Sequence, residues 1–159
     1  MIFISHRGNL TGKAGEGWEN HPDYINEALN RKFDVEVDVW FINNSFFLGH
    51  DNPQYEIQES FLRNNHLGCH AKNKEALDIM INRGLHCFWH NTDDYTLTSK
   101  GYIWCYPGSP ALHNSIILEF GDKISEFYYD NLNIVKGICS DNIYQIKTQF
   151  ENKFIISNL

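Results

Sequence analysis

Val35, Val37 and Val39 alternate with Glu36 and Asp38 in an unbroken stretch. Successive side chains of a β-strand point to opposite faces, so this segment turns three valines one way and two carboxylates the other. Few folds accept such a strand. The valine face requires a packed core. Two like charges projecting together into a folded interior are unfavourable unless something positive lies between them. A divalent cation meets that demand most directly. The other arrangement is a solvent-facing carboxylate pair on an edge strand.

Two further polar clusters stand at the ends of apolar runs. Ile2-Phe3-Ile4-Ser5 leads into His6-Arg7-Gly8, and Phe46-Phe47-Leu48 leads into Gly49-His50-Asp51. Strands are predicted at 2–5, 35–41, 67–71, 86–90, 102–106, 115–119 and 137–140. Pro22 opens a helix carrying Ile25, Ala28 and Leu29 at helical spacing, with Glu19-Asn20 read as its cap. Asn73 caps a second helix with Ala76, Leu77 and Met80 on one face, ending near Gly84. Two more helices are predicted over 122–131 and 141–152. Alternating strands and helices imply parallel pairing with right-handed crossovers. Asn43-Asn44 instead predicts a tight hairpin, which brings His50 back toward the carboxylates.

The expected fold class is therefore α/β, a small and irregular TIM-type (β/α) barrel forming one domain over 1–159. A complete barrel of this kind takes about 250 residues, and the stretch between His90 and Tyr102 is too short for a crossover helix. The barrel must be stripped down, irregular or incomplete. In such barrels the chemistry sits at the C-terminal strand ends, where His6, Glu36, Asp38 and Lys72 all fall.

Composition narrows the partners. Hydrophobic residues make up 42% and aromatic residues 14%, which suits a packed domain, and the formal charge is −7. No cluster of Lys and Arg is available to neutralise phosphate backbones, so nucleic acid is not an expected partner. No charged-then-apolar leader or long apolar run occurs, so neither secretion nor a membrane span is expected. Cys69, Cys87 and Cys105 are equally spaced in short apolar runs, and Cys139 lies in another. They read as small buried residues on successive strands, which predicts reduced thiols and a cytoplasmic setting. A zinc site from Cys69, His70, Cys87 and His90 is the alternative, although these ligands lack paired local spacing. His86, His90 and Asp93-Asp94 read as rim or loop residues, and Trp89, Trp104 and Tyr106 as core or rim.

The stretches Ile4-Ser5-His6-Arg7-Gly8, Glu19-Asn20, Glu36-Val37-Asp38-Val39, Gly49-His50-Asp51 and Gly137-Ile138-Cys139-Ser140-Asp141 together carry a family likeness. In that order the chain resembles the glycerophosphodiester phosphodiesterase family, among the phospholipase-C-like phosphodiesterase barrels. The resemblance implies His6 and His50 as general acid and base, Glu36 and Asp38 as ligands of a divalent cation, and Arg7 and Lys72 as phosphate contacts. It also implies a small-molecule phosphodiester substrate. Where that substrate carries a hydroxyl beside the ester, it implies internal attack giving a cyclic phosphate. The chain departs from the family at one position. An acidic residue is expected two before Lys72, and His70 stands there. Imidazole is a softer, neutral ligand, which moves the expected ion from Mg²⁺ or Ca²⁺ toward Mn²⁺ or Zn²⁺. Glu119 is a candidate replacement carboxylate. The same departure motivates a second reading, a catalytically impaired relative that binds a phosphorylated ligand through Arg7 and Lys72. Unprotected strand edges in a shortened barrel also make pairing with a second copy an expectation.

Overall fold

The computed structural model describes residues 1–15 and 17–156, so Glu16 and residues 157–159 of the expected domain lie outside the described residues. The chain runs β1 (Ile2–His6), α1 (Pro22–Asn30), β2 (Asp34–Ile42), β3 (Ser45–Leu48), β4 (Tyr55–Ile57) and α2 (Glu59–Leu62). It continues through β5 (Leu67–Ala71), α3 (Lys74–Asn82), β6 (Cys87–Phe88), β7 (Tyr95–Leu97) and β8 (Ile103–Cys105). It closes with β9 (Ser115–Glu119), a 3₁₀ segment (Glu126–Asn131), β10 (Gly137–Ser140) and α4 (Ile143–Ile156).

All ten strands belong to one mixed sheet. Parallel pairing links β6, β5, β2, β1, β10, β9 and β8 in that spatial order. The β2–β3 and β3–β4 pairs and the β7–β8 pair are antiparallel. The hairpin after β2 is the expected one. Asn43 and Asn44 both take positive φ, 50° and 66°, as a two-residue turn matched to strand twist requires. The sheet curls until Phe88 of β6 stacks on Trp104 of β8 with ring centroids 4.7 Å apart. No ladder joins those two strands among the described residues, so the curl stops at a half-barrel.

The expectation of a TIM-type (β/α) barrel is overturned. Such a barrel follows every strand with a covering helix, and here the crossovers are too short to build them. The path from β6 to β8 is filled by antiparallel β7, and no helix lies between β8 and β9. The helix expected over 122–131 is only the 3₁₀ segment, and α2 is a single turn. Strand content is likewise trimmed: β6 keeps two residues of the five expected. Where helices do form, their caps explain them. The Asn73 side chain accepts from the Ala76 N–H at 3.0 Å and opens α3. For α1 the cap is His21, which accepts from the Asp23 N–H, and not Asn20.

Strand alternation divides the apolar residues into two cores. On the convex face, Val35, Val37 and Val39 join one cluster with Ile25 and Ala28 of α1, Ala76 and Met80 of α3, and Ile143 and Ile146 of α4. On the concave face Ile4, Phe88, Trp104, Ile116, Leu118 and Cys139 form a second cluster. Glu36, in register with His6, shares the concave face. No helix among the described residues is long and apolar enough to cross a membrane.

His86 sits on the concave side before Phe88, its ring edge-on to Tyr102 at 5.7 Å. Burial, reinforced by Lys100, pulls its pKa down to about 4. An unfolded chain protonates histidine near its ordinary value of 6.5, so it binds more protons than the folded chain between those limits. Stability therefore falls as pH drops through that window. His86→Phe keeps a ring against Tyr102 and removes the titration. Urea midpoints for this variant should decline less than those of the unaltered chain between pH 6.5 and 4. Equal declines would assign the effect elsewhere.

Candidate functional site

The C-terminal ends of the parallel strands surround a cleft of about 410 Å³. His6, Arg7, Glu36, His50, His70 and Lys72 line one part of it, and His90, Trp104, Tyr106, Leu118 and Phe120 line the rest. Four separate chain segments therefore deliver the expected polar residues to one place. β1 ends on His6, and the backbone then takes positive φ at Arg7 (55°) and Gly8 (91°). The left-handed conformation costs a non-glycine residue roughly 1–2 kcal/mol. Here the Arg7 N–H donates to the Glu36 carbonyl at 2.9 Å and its carbonyl accepts from the Asn20 N–H at 3.0 Å, which holds the turn. A Cβ on Gly8 would come within 2.7 Å of the Tyr24 ring, so glycine also lets α1 approach.

Asp38 is fully buried and has the densest set of partners. Its Oδ2 accepts from Asn20 Nδ2 at 2.9 Å, and its own N–H donates to Asn20 Oδ1 at 2.9 Å. Arg7 Nε lies 2.9 Å from Oδ2, and His70 Nδ1 and Lys72 Nζ lie 3.2 and 3.3 Å from Oδ1. Burial alone would raise its pKa. His70, Arg7 and Lys72 overcome that and hold the carboxyl well below the usual carboxylate range. Glu36, one register step below on the same face, behaves oppositely. Burial and then the Asp38 charge raise its pKa, against His6, His70 and Arg7.

Two of the cleft histidines, His6 and His50, are tuned apart. His6 Nδ1 donates to Asp141 Oδ1 at 2.7 Å, leaving Nε2 3.8 Å from Glu36 Oε2. Burial works to lower the His6 pKa, but the Asp141 bond and the Glu36 charge prevail and it is raised. His50 follows Gly49, whose φ of 146° and packing against the Asn52 carbonyl leave no room for a side chain. The ring is half-buried, with Nδ1 2.7 Å from Asp51 Oδ1. Burial lowers its pKa, and Arg7 and Lys72 add to this against the pull of Asp38. Opposed shifts on two neighbouring groups separate a proton donor from a proton acceptor.

Whether these residues suit a divalent cation can be tested on their unmet polar atoms. Glu36 Oε2 and Asp38 Oδ1 are buried and accept no hydrogen bond in the folded chain. Buried acceptors are almost always hydrogen-bonded. Glu36 Oε2 has only an ion-pair contact to His6, and Asp38 Oδ1 only those to Lys72 and His70, so a cation between them would meet both. Ligand atoms of Glu36, Asp38 and His70 lie within 4.8 Å of one another, the one such His, Cys and carboxylate group among the described residues. The residues fit a cation.

Other expected residues are not brought here. Leu118 faces the cleft, so Glu119 faces away, where its carboxylate accepts from the Ser125 N–H at 2.8 Å. The zinc alternative fails by the same alternation: Cys69 and Cys87 join the convex core, while His70 and His90 line the cleft. All four cysteines are buried and free. Trp104 and Tyr106 line the cleft and Trp89 does not.

Four supporting residues hold roles that the sequence does not assign to them. Asp141 was visible only as the end of the last strand motif. Asn9, wholly buried, donates from one Nδ2 to Glu19 Oε1 at 2.8 Å and to Asp141 Oδ1 at 2.7 Å. Glu19 in turn accepts from Arg7 Nη1 at 3.2 Å. Asn20, read as a helix cap, instead braces Asp38.

Two variants check this bracing. Asn20→Ala strips partners from a buried N–H and a buried carboxylate oxygen, and should destabilise the fold by about 2–4 kcal/mol in urea unfolding. Asp141→Asn removes the charge that favours the His6 imidazolium, so the His6 midpoint followed by NMR should move down. An unmoved midpoint would detach Asp141 from that role. Comparison with protein-family models, curated proteins and solved structures finds no match to this chain, so the meaning of the cleft rests on its own residues.

Proposed function

We propose that the chain is a small, metal-dependent phosphodiester hydrolase that resembles the glycerophosphodiester phosphodiesterases in its chemistry. The observation that carries this reading is the convergence, in one cleft, of His6, His50, Arg7 and Lys72 around the buried Glu36–Asp38 pair. A phosphodiester needs a group to take the proton of the attacking oxygen and another to protonate the departing one. His6 and His50 serve those two needs at neutral pH. Arg7 and Lys72 bind non-bridging phosphate oxygens, and both are already fixed by Asp38. Glu36, Asp38 and His70 would hold a divalent cation, which when bound supplies Lewis-acid neutralisation of charge on the phosphoryl oxygens.

The residues balance a simple reaction. An oxygen nucleophile, water or a hydroxyl of the substrate itself, loses its proton to one histidine and attacks phosphorus. The P–O bond to the leaving alcohol breaks, and the other histidine protonates that oxygen. A substrate hydroxyl gives a cyclic phosphate, and water gives a phosphomonoester. Trp104, Tyr106 and Phe120 offer an aromatic surface beside the reacting centre. Four free, buried thiols support a reducing, cytoplasmic setting.

The test is cleavage of glycerophosphodiesters and of bis(p-nitrophenyl) phosphate by the purified chain with Mg²⁺, Ca²⁺, Mn²⁺ or Zn²⁺. His6→Ala and His50→Ala should each lower the rate by about 10²–10⁴-fold, the span typical of general acid–base groups. Undiminished turnover in both would overturn the mechanism. A chain that binds phosphodiesters but cleaves none with any of these ions would be the non-catalytic relative.

A further inference from the structure

His70 stands on β5 directly opposite Asp38 in the parallel register. Its ring is held on two sides. It stacks on Phe88 with centroids 5.0 Å apart and planes only 8° from parallel. On its far edge Nε2 lies 3.0 Å from the carbonyl oxygen of His90. A carbonyl oxygen accepts and never donates, so Nε2 carries the hydrogen. The backbone thereby selects the tautomer, and Nδ1 is the atom turned toward the carboxylates.

Nδ1 lies 3.2 Å from Asp38 Oδ1 and 3.8 Å from Glu36 Oε1. Nδ1 can carry a proton toward Asp38, which favours the ionised carboxyl, or give its lone pair to an ion, so a metal ion and that proton compete for the same nitrogen. Bonds of about 2.0–2.2 Å to a shared ion would set adjacent ligand atoms roughly 3.0–3.5 Å apart. The Asp38 spacing falls in that range, and the Glu36 spacing of 3.8 Å is a few tenths of an ångström wider. A histidine whose second nitrogen donates to a backbone carbonyl is also the usual supporting arrangement of a metal-bound imidazole.

We propose that His70 is a nitrogen ligand through Nδ1, its tautomer fixed by the His90 carbonyl. The site then selects a first-row ion of the manganese-to-zinc series over Mg²⁺ and Ca²⁺. The inference rests on the metal role given above and adds the donor atom and the class of ion. The chemistry follows from the donor set. Two carboxylates alone suit hard ions, whereas a neutral imidazole adds little for Mg²⁺ or Ca²⁺ and much for the later divalent metals. Lys72 sharpens the bias: its ammonium, 3.3 Å from Asp38 Oδ1, competes for the same oxygen. An ion that gains from the nitrogen tolerates that competition best.

The experiment uses the full chain and Mn²⁺ as probe. Binding is followed by loss of the free Mn²⁺ EPR signal, with Mg²⁺, Ca²⁺ and Zn²⁺ as competitors. Pulsed EPR then reads nitrogen coupling to the bound ion. Zn²⁺ should displace Mn²⁺ readily, and Mg²⁺ only at large excess. The bound Mn²⁺ should show a directly coordinated nitrogen whose coupling changes when histidine carries the heavier nitrogen isotope, a readout that needs no variant. His70→Glu should abolish that coupling and narrow the preference for Mn²⁺ over Mg²⁺ by about tenfold or more, the scale of a lost ligand interaction. Bound Mn²⁺ without nitrogen coupling would overturn the assignment of His70 while leaving metal-dependent hydrolysis standing. No bound divalent ion at all would overturn both.

Discussion

Asp38 is a carboxylate with no exposure to water, and the cleft is arranged so that it stays ionised. Removing a lone charge from solvent is prohibitive, so the chain surrounds this one with Arg7, Lys72, His70 and the Asn20 amide. The four partners arrive from three places in the chain. Arg7 comes from the turn after β1, Asn20 from the segment before α1, and His70 and Lys72 from the end of β5. Satisfying one buried charge therefore ties the first two parallel crossovers together. Arg7 and Lys72 are positioned in the cleft as a consequence.

A second layer holds the first. Arg7 is shared between Asp38 and Glu19, and Glu19 and Asp141 are bridged by Asn9. Asp141 in turn orients His6. The chain of contacts runs from β10 through Asn9 to Arg7, so the last strand and the first turn are coupled electrostatically as well as by their ladder. Such a network is rigid only when every member is satisfied. At its centre Glu36 Oε2 and Asp38 Oδ1 accept no hydrogen bond, so the network is least complete at the carboxylate pair.

Much of the local structure was legible because short-range rules govern it. The hairpin at Asn43-Asn44, the cap at Asn73 and the proline at the start of α1 are decided by backbone chemistry within a few residues. The parallel strands were legible from apolar runs. The helical crossovers of the second half were not. The residues over 122–131 carry helical spacing, yet a 3₁₀ turn over six of them suffices to span β9 to β10, and tertiary context overrode the pattern. Without those helices the sheet stays a half-barrel.

Strand parity explains what the chain alone determined about the cleft. A period of two puts Glu36 and Asp38 on one face and the valines on the other, whatever the fold around them. That alternation also separates His70 from Cys69, and Leu118 from Glu119. What the tertiary structure decided is which distant groups meet that face. Asn9 and Asp141 lie far apart in sequence and 2.7 Å apart in space. The pairing of β1 with β10 brings them together, and a long-range pairing leaves no local signature. The His70 tautomer is likewise set by the His90 carbonyl, which reaches it only because β6 lies beside β5.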